Sequence, residues 1–434
     1  MSMHPPARLH ALLEDVRREL DAYTADSTQD NYRAVQHTIR RLQAGASSPA
    51  DTLFTFRFQI VEHIGVMMLL ELGILDALVK HEGEGEGVTA AQLAGETGVE
   101  ESLVVRLLRL ASALHFIDHP TSQTYLPNPI TTSLVRPGWK AALAWMELIY
   151  PVAGQIRSFL SSTQFGRIDK SNSSSNSSST SDSVLASPAS TPFTFGHGGK
   201  SLWQVMDEQP EHKRNFDLWI QERKKYDETR WVARYPPLAT LRSQQLLQKQ
   251  PQEPQEGNND SVFMVDVGGI SAVQLGRLRT QLPELQGRCI LQVPPDKANV
   301  MNQTAEGVEV MTYDLATEQP VKGARFYYLN NIFHNLPDTA CISILRILLP
   351  ALKPGYSTIL IDDYVLATHN TPLRSAVTDI HVMAMFNAAD RTGEQYERIF
   401  AQAAGGEGRR KLEVTGWYPA GVNDECVIEL GVKE

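Results

Sequence analysis

The chain has 434 residues, enough for two or three ordinary domains. Hydrophobic residues make up 42% and charged residues 21%, the balance of a folded globular protein and not of a disordered one. The formal net charge is −10 and there is no long basic run, which argues against a nucleic-acid partner and against a polybasic membrane patch.

The N-terminal stretch MSMHPPARLHALLEDVRREL is charged and helical in pattern, and it lacks the apolar core of a signal peptide. The longest apolar stretch, Ile64–Val79, is interrupted by Gly65, Glu71, Gly73 and Asp76 and falls short of the roughly 18 to 20 residues that span a bilayer. Cys289, Cys341 and Cys426 are far apart, have no metal-ligand spacing and read as reduced, buried thiols. A cytoplasmic protein with no metal and no membrane partner is expected.

Residues 7–46 carry helical periodicity through Leu9, Leu12, Leu13, Val16 and Leu20, and residues 54–80 continue as a strongly apolar helix. Thr89 is placed to cap the helix Ala90–Ala94. Gly98 supplies a turn, and Glu100–Leu114 forms a second helix with Leu103, Leu107, Leu110 and Leu114 on one side. A strand-like tail, Phe116–Tyr125, completes winged-helix spacing. The second helix offers only Arg106 and Arg109, so the module reads as a packing surface and not a DNA reader. Residues 171–190 are a low-complexity Ser/Asn tract, the core of an insertion spanning about 168–190 that buries no apolar surface. Residues 201–235 look helical and carry Trp203, Phe216, Trp219 and Trp231; residues 244–260 are a Gln/Pro-rich break.

From Val262 onward strands and helices alternate. Strands are expected at Val262–Val267, Arg288–Gln292, Val308–Tyr313, Arg325–Leu329, Ser357–Asp362 and Cys426–Leu430, and helices at Ala272–Gln281, Ala340–Leu352, Ser375–Ala388 and Glu394–Ala403. The pattern predicts an α/β fold, a doubly wound parallel sheet with its ligand at the carboxyl ends of the strands. Three domains follow: 1–150 helical with a winged helix, 151–260 a helical connector with the Ser-rich insertion, and 261–434 the Rossmann-like domain.

The segment VFMVDVGGISAVQL (Val262–Leu275) is the most informative. A buried-strand run ends in Asp266 and enters a turn with Gly268 and Gly269, the start of a cofactor loop D-x-G-x-G-x-G. Ile270 and Ala272 then stand where glycines are expected.

The ordered series VDVGG, PELQGRCILQ, YDLATEQPVKGARFYYLNNIFHNLPD, LLPALKPGYSTILIDDYVL and DRTGEQYERIF resembles the small-molecule O-methyltransferases of fungal secondary metabolism across most of residues 54–434. The resemblance implies a mainly helical winged-helix dimerisation domain, hence a homodimer. It also implies a Rossmann-like methyltransferase domain that binds S-adenosylmethionine, here through Asp266, Gly268, Gly269 and Asp314. In that family a histidine takes a hydroxyl proton from a small-molecule substrate and two acids orient it, which falls on His334, Asp363 and Asp390. The chemistry is reasonable for these groups: a neutral imidazole with pKa near 6.5 can accept a phenolic or enolic proton, and a carboxylate on its other nitrogen selects the tautomer. Without the resemblance, the favoured reading of His334 is a satisfied loop histidine, with the two acids as caps or ion-pair partners.

The resemblance is incomplete. Ile270 and Ala272 replace loop glycines, and Val293 stands where the family has the acid that holds both ribose hydroxyls. Asn330 replaces a basic residue four positions before the histidine. Some fungal members of the family are pericyclases that need a shaped pocket and a polarising group and chemically require no sulfonium, so loss of methyl transfer with retention of His334 is the favoured expectation and methyl transfer the alternative. Pocket candidates are Trp145, Met146, Asn330, Met383 and Phe386, with Phe193, Phe195 and Trp203 beside them; each also reads as ordinary core.

Overall fold

The computed structural model describes residues 6–83, 85, 87–163, 191–225, 235, 236, 238, 261–283, 286–295, 305–369, 371–405, 411–420 and 425–433. The Ser/Asn tract at 171–190, Trp231 and the Gln/Pro-rich break at 244–260 lie outside these residues. The chain divides into two compact units, Met1–Gly154 with Lys200–Glu228, and Gln155–Gly199 with Thr229–Glu434.

In the first unit α1 (Pro6–Ala25) and α2 (Gln29–Ala46) pack against each other. The apolar run expected as one helix over 54–80 is instead α3 (Pro49–Arg57), α4 (Gln59–Glu71) and α5 (Ile74–Lys80). Breaks fall at Phe58 and at Leu72–Gly73, where the chain bends so that Leu69, Leu70, Ile74, Leu75 and Leu78 enter one core. β1 (Val88–Thr89) leads into α6 (Ala90–Thr97), whose N-terminus is closed by a capping box between Thr89 and Gln92. Gly98 turns the chain into α7 (Glu101–Ala113), which buries Val104, Leu107, Leu108 and Ala111. β2 (Ile117–Asp118) and β3 (Thr124–Pro127) join β1 in a three-stranded antiparallel sheet of order β1-β3-β2. Next come α8 (Pro129–Leu134) and α9 (Pro137–Trp145); α10 (Tyr150–Ser162) runs across the boundary at Gly154, α11 (Pro192–Gly196) belongs to the second unit, and α12 (Leu202–Glu208) and α13 (Pro210–Lys225) to the first. Among the described residues no single helix is long and apolar enough to cross a membrane; α3 and α4 satisfy that criterion only as a pair bent by 47°.

The second unit is built on the strands β4 (Val262–Val267), β5 (Arg288–Val293), β6 (Val308–Thr312), β7 (Phe326–Asn330), β8 (Thr358–Leu366), β9 (Arg391–Thr392), β10 (Lys411–Ala420) and β11 (Glu425–Lys433). Its helices are α14 (Val273–Gln281), α15 (Asp338–Leu348), α16 (Leu373–Phe386) and α17 (Gly393–Ala404). The strand order is β10-β11-β8-β7-β4-β5-β6. Pairing is parallel from β8 through β6 and antiparallel at β11 and β10. The expectation of a wholly parallel sheet is corrected at this edge. β10, absent from the sequence reading, ends at Ala420 and β11 starts at Glu425, a gap too short for the crossover that parallel strands require.

One face of the sheet packs on α15 and α17 residues such as Leu345, Ile399 and Phe400, and the other on Leu275 and Leu278 of α14. Every residue of β4 after Val262 is buried, as expected for a central strand covered on both faces. Chain order reverses between β4 and β7, so their carboxyl ends frame the crevice where ligands bind in such sheets. Register aligns Asp266 of β4 with Tyr328 of β7 across that point, and Asn330 of β7 with Asp362 of the adjacent β8.

Candidate active site

The turn that leaves β7 carries His334. After Asn331, which adopts φ 53°, residues Phe333–Asn335 make one 3-10 turn that leads into α15. Phe333 is buried and anchors it, while His334 keeps 13% of its side chain exposed. Its Nδ1 lies 2.6 Å from Asp363 Oδ1, and its backbone N–H donates to Asp363 Oδ2 at 3.1 Å. Asp363 Oδ1 also accepts the Tyr364 N–H at 2.9 Å. A fully buried carboxylate thus holds both the ring and the backbone of one histidine. A proton on Nδ1 is the arrangement that satisfies the pair, which leaves Nε2 as an acceptor. The Tyr364 ring stands edge-on to the imidazole, 5.5 Å away.

Asp390 follows α16, whose last turn closes on Asn387 at φ 53°. Its N–H donates to Asp379 Oδ1 at 3.0 Å, yet neither of its buried carboxylate oxygens has a hydrogen-bond partner. Burial pushes the Asp390 carboxyl up to about 6, with the His334 ring opposing that shift and Asp363 adding to it. The two acids that the resemblance placed beside His334 therefore differ: Asp363 is bonded to the ring and Asp390 is not.

At the end of β4, Asp266 is 3% exposed and its Oδ1 has no hydrogen-bond partner. Burial, with the neighbouring Asp362 carboxylate adding to it, pushes the Asp266 carboxyl up to about 7. Asp362 accepts from the Tyr328 hydroxyl at 2.6 Å and from the Asn330 amide at 3.2 Å. Gly268 turns the chain at φ 80° and donates its N–H to the Gln292 carbonyl at 3.0 Å. A Cβ on Gly269 would fall 2.7 Å from Asp266 Oδ1 and from Leu291 Cδ1, so the turn presses against its own strand end.

The three departures from the loop pattern are not alike. Ile270 is 52% exposed and, not being among the described residues with positive φ, needs no glycine conformation. Ala272 is fully buried in a core with Met264, Leu275 and Leu291, so its methyl packs under the turn and does not approach a ligand. Val293 shares that core and is 1% exposed. Asp314 is exposed and closes a local turn by accepting the Ala316 N–H at 2.9 Å. Beside Val293, Gln292 and Gln319 form a fully buried reciprocal amide pair at 2.6 and 2.8 Å, for which no motif or spacing was a signal.

Among the pocket candidates, α16 packs against the turn of His334 and carries Met383 and Phe386, both half-buried. The second unit also contains Phe193, fully buried and stacked on His197 at 4.1 Å. Trp145 belongs to the first unit, where it is buried against Phe216 at 5.0 Å, with Met146 half-buried beside it. That unit also holds a cavity of about 490 Å³ lined by Glu71, Glu147, Glu211 and His212. Sequence reasoning missed Arg391, a buried arginine beside Asp390 whose only sequence signal was its place in the DRT motif. Among the described residues there is no cluster of three or more His, Cys, Asp or Glu able to hold a metal.

The family model of the O-methyltransferase domain matches residues 259–405. The demethylsterigmatocystin 6-O-methyltransferase of Aspergillus flavus is 28% identical over 374 residues, covering 86% of this chain and 87% of that protein. The demethylsterigmatocystin 6-O-methyltransferase stcP of Emericella nidulans is 35% identical over 175 residues, 40% of this chain and 79% of that protein. Among solved structures, LepI in complex with SAM superposes with a TM-score of 0.73 at 21% identity, covering 99% of this chain and all of that one. OxaC in complex with sinefungin and meleagrin superposes at 0.71 and 19% identity, covering 99% of this chain and all of that one. These two likenesses establish the fold. Together with the Rossmann-like sheet and the relatives' sequences, they lead to one conclusion: the chain belongs to the O-methyltransferase family, stands with its fungal secondary-metabolism members, and is an enzyme of that family.

Proposed function

We propose that the protein is a tailoring enzyme of polyketide- or pyridone-type natural products in which His334 takes the proton of an acidic substrate hydroxyl. The observation that carries this is the His334–Asp363 pair. The 2.6 Å contact at Nδ1 and the buried carboxylate select the tautomer whose Nε2 is a base. A phenol, enol or hydroxypyridone gives up its proton to Nε2, and Asp363 stabilises the imidazolium that results. Met383, Phe386 and Asn330 are the proposed pocket residues around the oxyanion, and the unpartnered carboxyl of Asp390 is a further polar group within it.

The proposed outcome of that deprotonation is cyclisation, as in the pericyclase members of the family. The supporting observation lies at the cofactor side. Gly268 and the unpartnered Asp266 oxygen suit the methionine end of S-adenosylmethionine. The ribose end does not fit: Val293 offers no acceptor and is packed in the core; on the adenine side the exposed Asp314 carboxylate closes a local turn. No step of the proposed reaction is therefore routed through the cofactor. The second reading, methyl transfer to the same oxygen, is favoured by the printed names of the relatives, which are methyltransferases. Calorimetric titration with S-adenosylmethionine, paired with a turnover assay of cofactor-free protein on a reactive polyene hydroxypyridone, separates them. Product without cofactor supports cyclisation; micromolar cofactor binding with methylated product overturns it. His334→Ala removes turnover under both, and an unchanged rate would place the base elsewhere.

Self-association is proposed through α3 and α4, where Leu53, Phe54, Phe56, Ile60, Val61 and Ile64 are exposed. A run of apolar side chains of this kind on a soluble enzyme marks an interaction surface. A sedimentation mass of one chain at micromolar concentration would refute it.

A further inference from the structure

We infer that Arg391 is the positioning residue that fixes the direction in which His334 presents Nε2, an inference that rests on the reading of His334 as the base. Arg391 is 2% exposed and lies on β9, which pairs in parallel with the end of β8 through Val365 and Leu366, just beyond Asp363. Its Nη1 donates to the Phe333 carbonyl at 2.7 Å and to the Ala389 carbonyl at 3.2 Å. Its Nη2 donates to the Leu336 carbonyl at 2.6 Å, and its Nε to Asp338 Oδ1 at 2.8 Å. Phe333 and Leu336 bracket His334 in the chain. The guanidinium therefore grips the turn on both sides of the histidine, while Asp363 grips the histidine itself.

The turn needs this support. A single 3-10 turn has poor internal hydrogen-bond geometry and little rigidity of its own. Its own bonds are the Asn335 N–H to Ile332 carbonyl contact at 3.2 Å and the Leu336 N–H to Phe333 carbonyl contact at 3.1 Å. Cys341 Sγ adds only long contacts to Phe333 and Leu336, at 3.7 and 3.8 Å. A planar fork presents separated, pre-oriented donors to two carbonyls three residues apart; an ammonium has only rotatable donors on one atom at the end of a flexible stem and does not hold that spacing. Asp338, its carboxylate partner, is mostly exposed, so the charge of Arg391 is satisfied in the interior chiefly by carbonyls. An arginine placed only to anchor the start of α15 would need Asp338 alone. The bonds to Phe333 and Leu336 are the part that an anchoring role leaves unexplained.

Arg391→Lys keeps the charge and loses the fork; Asp338→Asn removes the carboxylate and leaves both carbonyl bonds in place. With folding checked by circular dichroism, Arg391→Lys is expected to lower kcat by about 10- to 100-fold with KM within about threefold, the scale of a catalytic group displaced by less than 1 Å. Asp338→Asn is expected to stay within about twofold of the parent, as a lost contact to an exposed carboxylate should. Nitrogen-15 spectra of the His334 ring, assigned through His334→Gln, give a readout independent of turnover. The parent ring should show one Nδ1–H tautomer, and Arg391→Lys should give an averaged, broadened ring signal. An unchanged tautomer signal with kcat within twofold in folded Arg391→Lys overturns the inference. If His334→Ala retains turnover, the base reading fails, and the ring spectra still decide whether Arg391 positions His334. If Arg391→Lys does not fold, the parent's own guanidinium signals decide. Separate, slowly exchanging Nη–H resonances support the clamp, and a single solvent-exchanged resonance overturns it.

Discussion

Replacing Asp266 by asparagine should stabilise the protein more at alkaline than at acid pH. The Asp266 carboxyl is buried, lacks a partner for Oδ1 and has its pKa pushed up from 3.8 to about 7. The folded state therefore holds a proton that the unfolded chain releases between those values. The penalty is absent below pH 3.8, grows as pH rises, and is complete above pH 7. At about 1.4 kcal/mol per pH unit the cost is of order 4 kcal/mol above pH 7 and of order 1–2 kcal/mol at pH 5. Asparagine carries no charge, so its desolvation offset is the same at both pH values and the change between them isolates the ionisation. That change, of order 2 to 3 kcal/mol, corresponds to about 5–10 °C in melting temperature for a unit of this size. Melting curves of parent and Asp266→Asn at pH 5 and pH 8 measure it. An equal difference between the two proteins at both pH values would refute the reasoning, because Asp266 would then ionise without cost.

Three further outcomes follow from the same geometry. Asp363→Asn sets an amide NH₂ against one of the donors of His334; turnover per folded enzyme should fall roughly 10²- to 10⁴-fold, the usual contribution of acid–base catalysis, and an unchanged kcat would show that the tautomer does not matter. Gly268→Ala places a methyl 3.2 Å from Leu315 Cδ1 and 3.3 Å from Ile332 Cδ1 at φ 80°, and urea unfolding should show a loss of about 1–2 kcal/mol; full retention of stability would mean that the turn relaxes to negative φ. Val293→Asp combined with Ile270→Gly should tighten S-adenosylmethionine binding about 10- to 100-fold if ribose bonds of about 1.5–3 kcal/mol are what is missing, and calorimetry showing no gain would move the defect elsewhere.

Much of the site was legible in the sequence because strand ends are local signals. A buried run terminating in an acid and a glycine marked Asp266 and Gly268; the STILIDD run pointed to Asp362 and Asp363, although the strand expected to end at Asp362 continues to Leu366 and carries both acids inside it. Asp363 and His334 are 29 residues apart and their contact rests on parallel pairing of β7 with β8, which alternation of strands and helices implied. The meaning of Ala272 and Ile270 was not legible. Both break the same glycine pattern, yet one lies in the core and the other in solvent, and only the path of the chain after Gly268 separates them. Trp145, read as a pocket candidate, is buried against Phe216, a partner brought to it from 71 positions along the chain.

The sequence by itself determined most of the order of elements, the family and the position of the histidine, because hydrophobic periodicity and short motifs are properties of neighbours in the chain. Only the tertiary structure decided which polar groups satisfy one another. It bonded Asp363 to His334 and left the carboxylate of Asp390 and Oδ1 of Asp266 without a hydrogen-bond partner, and it brought the guanidinium of Arg391 to carbonyls more than 50 positions away. Hydrogen bonds and desolvation act over a few ångströms in space, and the residues within that range of a buried charge are set by the packing of the sheet and its helices, not by spacing along the chain.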